Sequence, residues 1–299
     1  MRSFDWSEFN ACVKTLRERK VSSDDRTLLN VRHSRTDGEH PVCVLIHGSG
    51  DGSYIWDESI ASLIGRLQLA LVDLRGHGDS EHPKARNYDL ATHVADVMSI
   101  VREFGWRKII LVGHSFGGLI AVHLAGLFLR AEMLGVMLVD VPMDPNPECS
   151  QHVLVSMQDS MRTYETPEEY CEWLLARRPL LSVKTARTIA MGALRRVDCK
   201  YVPKLDPSFV DAGRLQEEDL ESASIHELLR NINCPTAIVR GSGSAMVRPD
   251  VAQRMSMMLP AGRLLTIPCA GHAVMSDNPV AFTAVLTDFL RSLNCIVAN

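Results

Sequence analysis

The segment Gly113-His114-Ser115-Phe116-Gly117-Gly118 follows the apolar run at residues 108–112 and precedes an apolar helical pattern. G-x-S-x-G between a strand and a helix is a nucleophile elbow. The turn is sharp, its serine can hold an unfavourable backbone conformation, and small residues on both sides let strand and helix approach. The Ser115 hydroxyl then stands at a helix N-terminus, where the dipole and free N–H groups favour a developing anion. The bare pattern arises by chance in about one chain in ten of this length, so its placement carries the weight. A second segment, His47-Gly48-Ser49-Gly50, directly follows the run Val42–Ile46. The backbone N–H groups of Ser49 and Phe116 are candidates for an oxyanion hole, with Gly48 and His114 beside them as candidate substrate-binding positions. The plainer reading of this segment is a glycine turn with no chemical role. A third, Gly271-His272, lies beyond the run 264–267 and is placed to supply a general base. Eleven histidines make one of them uninformative, but Ser115 precedes His272 along the chain, the order a nucleophile elbow requires.

Elements able to position these groups recur along the chain. Short apolar runs lie at 42–46, 69–72, 108–112, 135–139, 236–239 and 264–267. Continuous apolar runs mark strands buried on both faces, as in a parallel sheet. Helical patterns, such as Leu90–Phe104 and 118–129, fall between them. The alternation predicts a doubly wound, mostly parallel α/β sheet. The stretch 143–228 breaks the rhythm. It carries no clear buried strand and is rich in Met, Leu and aromatics, so it predicts an inserted helical cap on a core of 1–142 and 229–299. Pro142, Pro145 and Pro147 mark its entry. Phe4, Phe9, Val13 and Leu16 are spaced for one face of an N-terminal helix.

With these pieces in order, the chain resembles the α/β-hydrolase fold superfamily, in its form with a helical cap, over about residues 20–142 and 229–293. Further family-like pieces are Val72-Asp73-Leu74-Arg75-Gly76-His77-Gly78-Asp79-Ser80 and Ile267-Pro268-Cys269-Ala270-Gly271-His272-Ala273. The resemblance implies an eight-stranded-type sheet, Ser115 as nucleophile and His272 as base. It also implies a carboxylate after the strand at 236–239, where the chain reads Arg240-Gly241-Ser242-Gly243-Ser244-Ala245. The family's R-G-x-x-S-D pattern puts Ala245 at the acid position, and a G-x-x-D spacing puts Ser244 there. Neither is a carboxylate. Three explanations stand side by side. Ala245 replaces an aspartate and silences turnover; or Asp140, at the end of the run 135–139, supplies the acid as in some family members; or hydrolysis is lost and a Ser–His pair serves another task. Asp140 is equally at home as a turn residue, and Asp250 reads as a carboxylate favouring a helix start.

At 299 residues and 33.2 kDa, the chain can bury a large core. Hydrophobic residues make up 46% and charged residues 23%, which excludes disordered and low-complexity classes. A net charge of −4 argues against a nucleic-acid partner. No apolar run approaches the roughly 20 residues of a membrane span, and the N-terminus has no signal pattern. These features lead us to expect a cytoplasmic protein with no membrane partner. The eight cysteines form no C-x-x-C pair, so reduced thiols and no metal site are expected. Gly-x-Gly-x-x-Gly is absent as a strand–helix motif, so no nucleotide or other cofactor is expected.

In the insertion, Arg177, Arg178, Lys184, Arg187, Arg195, Arg196, Lys200 and Lys204 face only Asp198 within their window. They could steer an anionic substrate, or be a solvated face whose charges pair elsewhere. Met157, Met161, Tyr164 and Trp173 are helix-core residues of which some could line an acyl pocket. The sequence thus points to a serine hydrolase of a small-molecule ester, thioester or lactone, with C–C cleavage as an option, through an acyl-enzyme on Ser115. Two alternatives use the same residues. One is cofactor-free lyase or dioxygenase-type chemistry with His272 and Asp140 as the base pair; the other is a non-catalytic ligand-binding protein. The sequence names no substrate and no oligomeric state, a homodimer being one option.

Overall fold

The computed structural model describes residues 15–34, 39–144, 147–211 and 222–296. An eight-stranded sheet runs through the molecule in the order β1-β2-β4-β3-β5-β6-β9-β10. Its strands are β1 (Arg17–Ser22), β2 (Leu28–His33), β3 (Val42–Ile46), β4 (Gln68–Val72), β5 (Ile109–His114), β6 (Met133–Val139), β9 (Thr236–Gly241) and β10 (Gly262–Ile267). From β4 to β10 every neighbouring pair is parallel, whereas β1–β2 and β2–β4 are antiparallel. The two-residue period of a strand feeds two cores. Val42, Val44 and Ile46 pack on one face of the sheet with Val94, Val97 and Ile100. Cys43 and Leu45 pack on the other with Trp56, Phe282 and Leu286. This two-sided burial is why the central strands read as unbroken apolar runs.

The first two strands carry no such run. β1 is RERKVS, exposed except at Val21, and charge along an edge strand discourages pairing with another chain. A search for apolar runs passes over it for that reason. The N-terminal helix expected from Phe4, Phe9 and Val13 lies outside the described residues.

The main core helices are α1 (Leu90–Phe104), α2 (Phe116–His123), α6 (Ser222–Arg230), α7 (Pro249–Met258) and α8 (Pro279–Ser292). Asp89 caps α1 by accepting the Thr92 N–H at 2.7 Å, and Gly105 ends it at φ 66°. No helix among the described residues is long and apolar enough to cross a membrane.

Between β6 and β9 lie α3 (Pro147–Ser160), α4 (Pro167–Arg177) and α5 (Val183–Ala193). They are followed by an antiparallel pair, β7 (Leu194–Val197) and β8 (Lys200–Pro203). Three of the four β7 residues are exposed, so the pair lacks the apolar signature of a core strand. Arg195, Arg196 and Lys200 therefore sit on a hairpin rather than on a helix face. The sequence boundary at 228/229 also shifts. It falls within α6, whose Ile225, Leu228 and Leu229 are buried in the main core cluster and which packs against α2 and α7.

The loop after β4 is held by a buried ion pair. Arg75 donates from Nε and Nη2 to Asp96, both at 2.6 Å, and the side chains are 1% and 3% exposed. Removing one partner leaves the other charge buried and unpaired. Arg75→Ala is expected to lower stability by about 3–5 kcal/mol, measured by equilibrium denaturation; a loss under about 1 kcal/mol would refute this account of the loop.

Candidate active site

Ser115 joins β5 to α2 with φ 50° and ψ −119°, a region costly for any residue with a Cβ. The turn is held by Ser115 N–H donating to Val139 O at 3.0 Å and by Ser115 O accepting from Gly118 N–H at 2.9 Å. Glycine is required at 117 by proximity: a Cβ there would lie 2.4 Å from the carbonyl oxygens of Ile46 and His47. The first turn of α2 is thereby pressed onto the end of β3, bringing the 47–50 loop beside Ser115.

His272 Nε2 lies 3.1 Å from Ser115 Oγ, and His272 Nδ1 lies 2.7 Å from Asp140 Oδ2. A carboxylate accepts only, so the ring proton sits on Nδ1 and the Nε2 lone pair faces the serine hydroxyl. The Asp140 side chain is fully buried. Its Oδ1 accepts the Gly241 N–H at 3.2 Å, and its Oδ2 also accepts the Ser244 hydroxyl at 2.5 Å. These bonds fix the carboxylate in the plane that orients His272.

Ala245 is exposed on the turn after Ser244, and its carbonyl accepts from Cys149 Sγ at 3.5 Å. The residue at the G-x-x-D position, Ser244, is thus in the hydrogen-bond chain as a donor to the carboxylate. Asp250 pairs with Arg248 and Arg254 on the surface, away from this chain.

The 47–52 loop is pinned by two histidines. His47 Nδ1 donates to Gly48 O at 2.8 Å, and its Nε2 accepts the Leu74 N–H at 3.0 Å. His77 Nδ1 donates to Arg75 O at 2.9 Å, and its Nε2 accepts the Gly50 N–H at 3.1 Å. Each ring uses one nitrogen as donor and one as acceptor, and burial lowers the pKa values to about 4 for His47 and about 3 for His77. Both are therefore neutral pins, a role their motifs hinted at only by adjacency to glycines. Asp73 adds a third tie, accepting the Ser53 N–H at 2.6 Å. With the loop fixed this way, the Ser49 N–H has no partner among the described residues. The Phe116 N–H, at the first position of α2, has no intrahelical acceptor.

His114 Nε2 donates to His272 O at 2.9 Å, which ties the end of β5 to the loop carrying His272. Asp51, which the sequence reading did not single out, has its carboxyl pushed up to about 6 by burial, with Arg178 and His272 pulling the other way. Arg178 reaches Asp277 at 3.4 Å, and Asp277 in turn accepts the Gly271 N–H at 2.9 Å. The insertion is thereby tied to the loop carrying His272. Other members of the basic window also have partners outside it: Arg177 with Asp159, Lys184 with Glu58, Lys200 with Glu165 and Lys204 with Asp79. The window is largely a set of ion pairs, which weakens the case for a free anion-steering face.

Elements of the insertion pack on the segment 50–54. A Cβ on Gly50 would touch Met157 Sδ at 2.8 Å, and one on Gly192 would touch the Tyr54 ring carbon Cγ at 2.3 Å. A cavity between the loop and these elements is lined by Asp51, Tyr54, Ser160, Tyr170, Lys204 and Leu205.

Residues 43–285 match the model of the alpha/beta hydrolase family. The chain is 27% identical over 330 residues to protein phosphatase methylesterase 1 of Mus musculus, covering 95% of this chain and 83% of that protein. It is 23% identical over 271 residues to a putative carbamate hydrolase, RutD, of Pseudomonas savastanoi pv. phaseolicola, covering 87% and 97%. Among solved structures, E-2-(acetamidomethylene)succinate hydrolase superposes with a TM-score of 0.79 at 23% identity, covering 92% and 99%.

Proposed function

The chain belongs to the alpha/beta hydrolase family as an esterase-like hydrolase, and from that premise we propose that it cleaves small carboxylic esters, thioesters or lactones through an acyl-enzyme on Ser115. The hydrogen-bond chain from Ser115 through His272 to Asp140 carries the reading. Ser115 Oγ attacks the carbonyl carbon as His272 Nε2 takes its proton. The N–H groups of Ser49 and Phe116 receive the developing oxyanion. His272 returns the proton to the leaving group, then activates the water that releases the acid. Asp140 serves as the acid, holding the imidazole and stabilising imidazolium, and residue 245 has no catalytic part. The region 143–211 acts as a cap that closes an apolar acyl pocket. The esterase and methylesterase relatives support an oxygen ester as the first substrate to test.

The test combines a fluorophosphonate probe with a series of short p-nitrophenyl esters. Stoichiometric labelling at Ser115, with turnover lost in proportion, is expected. Substrate consumption without labelling of Ser115 would refute the acyl-enzyme and favour non-hydrolytic use of His272 and Asp140.

A further inference from the structure

The niche beside the nucleophile lacks a proton. His114 donates from Nε2 to a carbonyl, which only accepts, and burial with His272 nearby holds the ring well below its ordinary pKa and therefore neutral. Its Nδ1 is thus a lone pair. That nitrogen is buried and has no hydrogen-bond partner, and it lies 4.0 Å from Asp51 Oδ2, on side chains 3% and 24% exposed. Two acceptors face each other with no donor between them, an arrangement that is costly unless a donor fills it. This pair adjoins Ser115. A Cβ on Gly48 would lie 2.9 Å from His114 Nδ1 and 3.1 Å from Ser115 Cβ, so loop, ring and nucleophile meet there. Asp51 also lines the cavity under the insertion.

We propose that Asp51 and His114 Nδ1 form a specificity site for a hydrogen-bond donor carried next to the scissile carbonyl: an amide N–H or a hydroxyl on the α-carbon of the acyl group. The inference rests on the serine-hydrolase reading and narrows its substrate to α-amido or α-hydroxy esters over plain alkyl esters. A neutral donor suits the site better than an ammonium, because burying an ammonium costs more than burying an amide N–H and the Arg178 charge already acts on Asp51. A site built to accept a substrate N–H discriminates strongly against an analogue lacking it, since its own polar groups are then left unpaired.

The test compares kcat/KM for the p-nitrophenyl ester of N-acetyl-L-alanine with that of its isostere bearing CH₂ in place of N–H, in the wild type, Asp51→Ala and Asp51→Asn. The ratio of the two esters within each protein is the readout, because a folding defect lowers both rates together. The wild type is expected to prefer the N–H ester by about 10- to 100-fold. Asp51→Ala should bring the ratio near unity. Asp51→Asn, which keeps an acceptor oxygen without the charge, should fall between. Equal rates in the wild type, or a preference that survives Asp51→Ala, would overturn the proposal and leave the niche holding a water. If neither ester is turned over and Ser115 resists the fluorophosphonate, the serine-hydrolase reading itself fails, and this inference falls with it.

Discussion

Ser115→Ala is expected to lower kcat for p-nitrophenyl esters by roughly 10⁴- to 10⁶-fold, the scale on which serine hydrolases lose rate with their nucleophile. The reasoning is geometric. Ser115 Oγ is the one atom that the elbow lifts to His272 Nε2, at 3.1 Å, and alanine leaves the lone pair with nothing to deprotonate. The pinned 47–50 loop and the Phe116 N–H stay in place, so a small residual rate over water is expected. A companion variant separates chemistry from fold. The backbone at 115 sits at φ 50° and ψ −119°, so Ser115→Gly should relieve strain of roughly 1–2 kcal/mol while also abolishing turnover. Thermal unfolding of both variants, beside their kinetics, checks the pair of claims. A Ser115→Ala protein with more than about a tenth of wild-type kcat would remove Ser115 as the nucleophile.

Asp140→Asn is expected to cost about 10³- to 10⁴-fold in kcat at neutral pH. The amide offers an N–H or an oxygen to His272 Nδ1 but no charge, so the tautomer is no longer imposed and imidazolium is no longer stabilised. Ala245→Asp in the wild-type background should change kcat by no more than about threefold, as for an exposed side chain that takes no part in the Asp140–His272 contact. The physical ground is the buried chain itself. Asp140 already fills the Nδ1 position at 2.7 Å, and Ser244 occupies the buried turn position that a second carboxylate would need. A rise of several orders of magnitude in Ala245→Asp would instead mean that this chain is a silenced enzyme whose acid site is 245. Full activity in Asp140→Asn would point the search to another acid.

Much of the architecture is legible in residue order alone. The runs at 42–46, 108–112 and 236–239 are unbroken because each strand feeds a core on both faces of the sheet, and that double burial writes itself into composition. The elbow is legible for a related reason: its glycines answer contacts within a few residues of Ser115 or with the strand beside it, as at Gly117 against Ile46 and His47. Where burial is one-sided or absent, legibility ends. β1 and the β7–β8 pair are charged edge segments, and their strand character comes from pairing partners rather than from their own side chains.

The side chain that meets His272 Nδ1 was a matter for tertiary structure. In the chain, Asp140 and the 241–245 turn are about 100 residues apart and compete as alternatives. In the sheet they are neighbours: β6 and β9 lie side by side and parallel, Val139 pairs with Val239, and the Asp140 N–H donates to Val239 O at 2.7 Å. Two adjacent parallel strands end at the same edge, so a carboxylate at either tip can reach the same histidine. Residue types and order were enough to name a serine, a histidine and a sheet to hold them. Which side chain meets His272 Nδ1, that Ser244 serves as a donor there, and that Asp51 faces His114 across 4.0 Å depend on how strand tips and loops from distant parts of the chain converge, and no local pattern encodes that convergence.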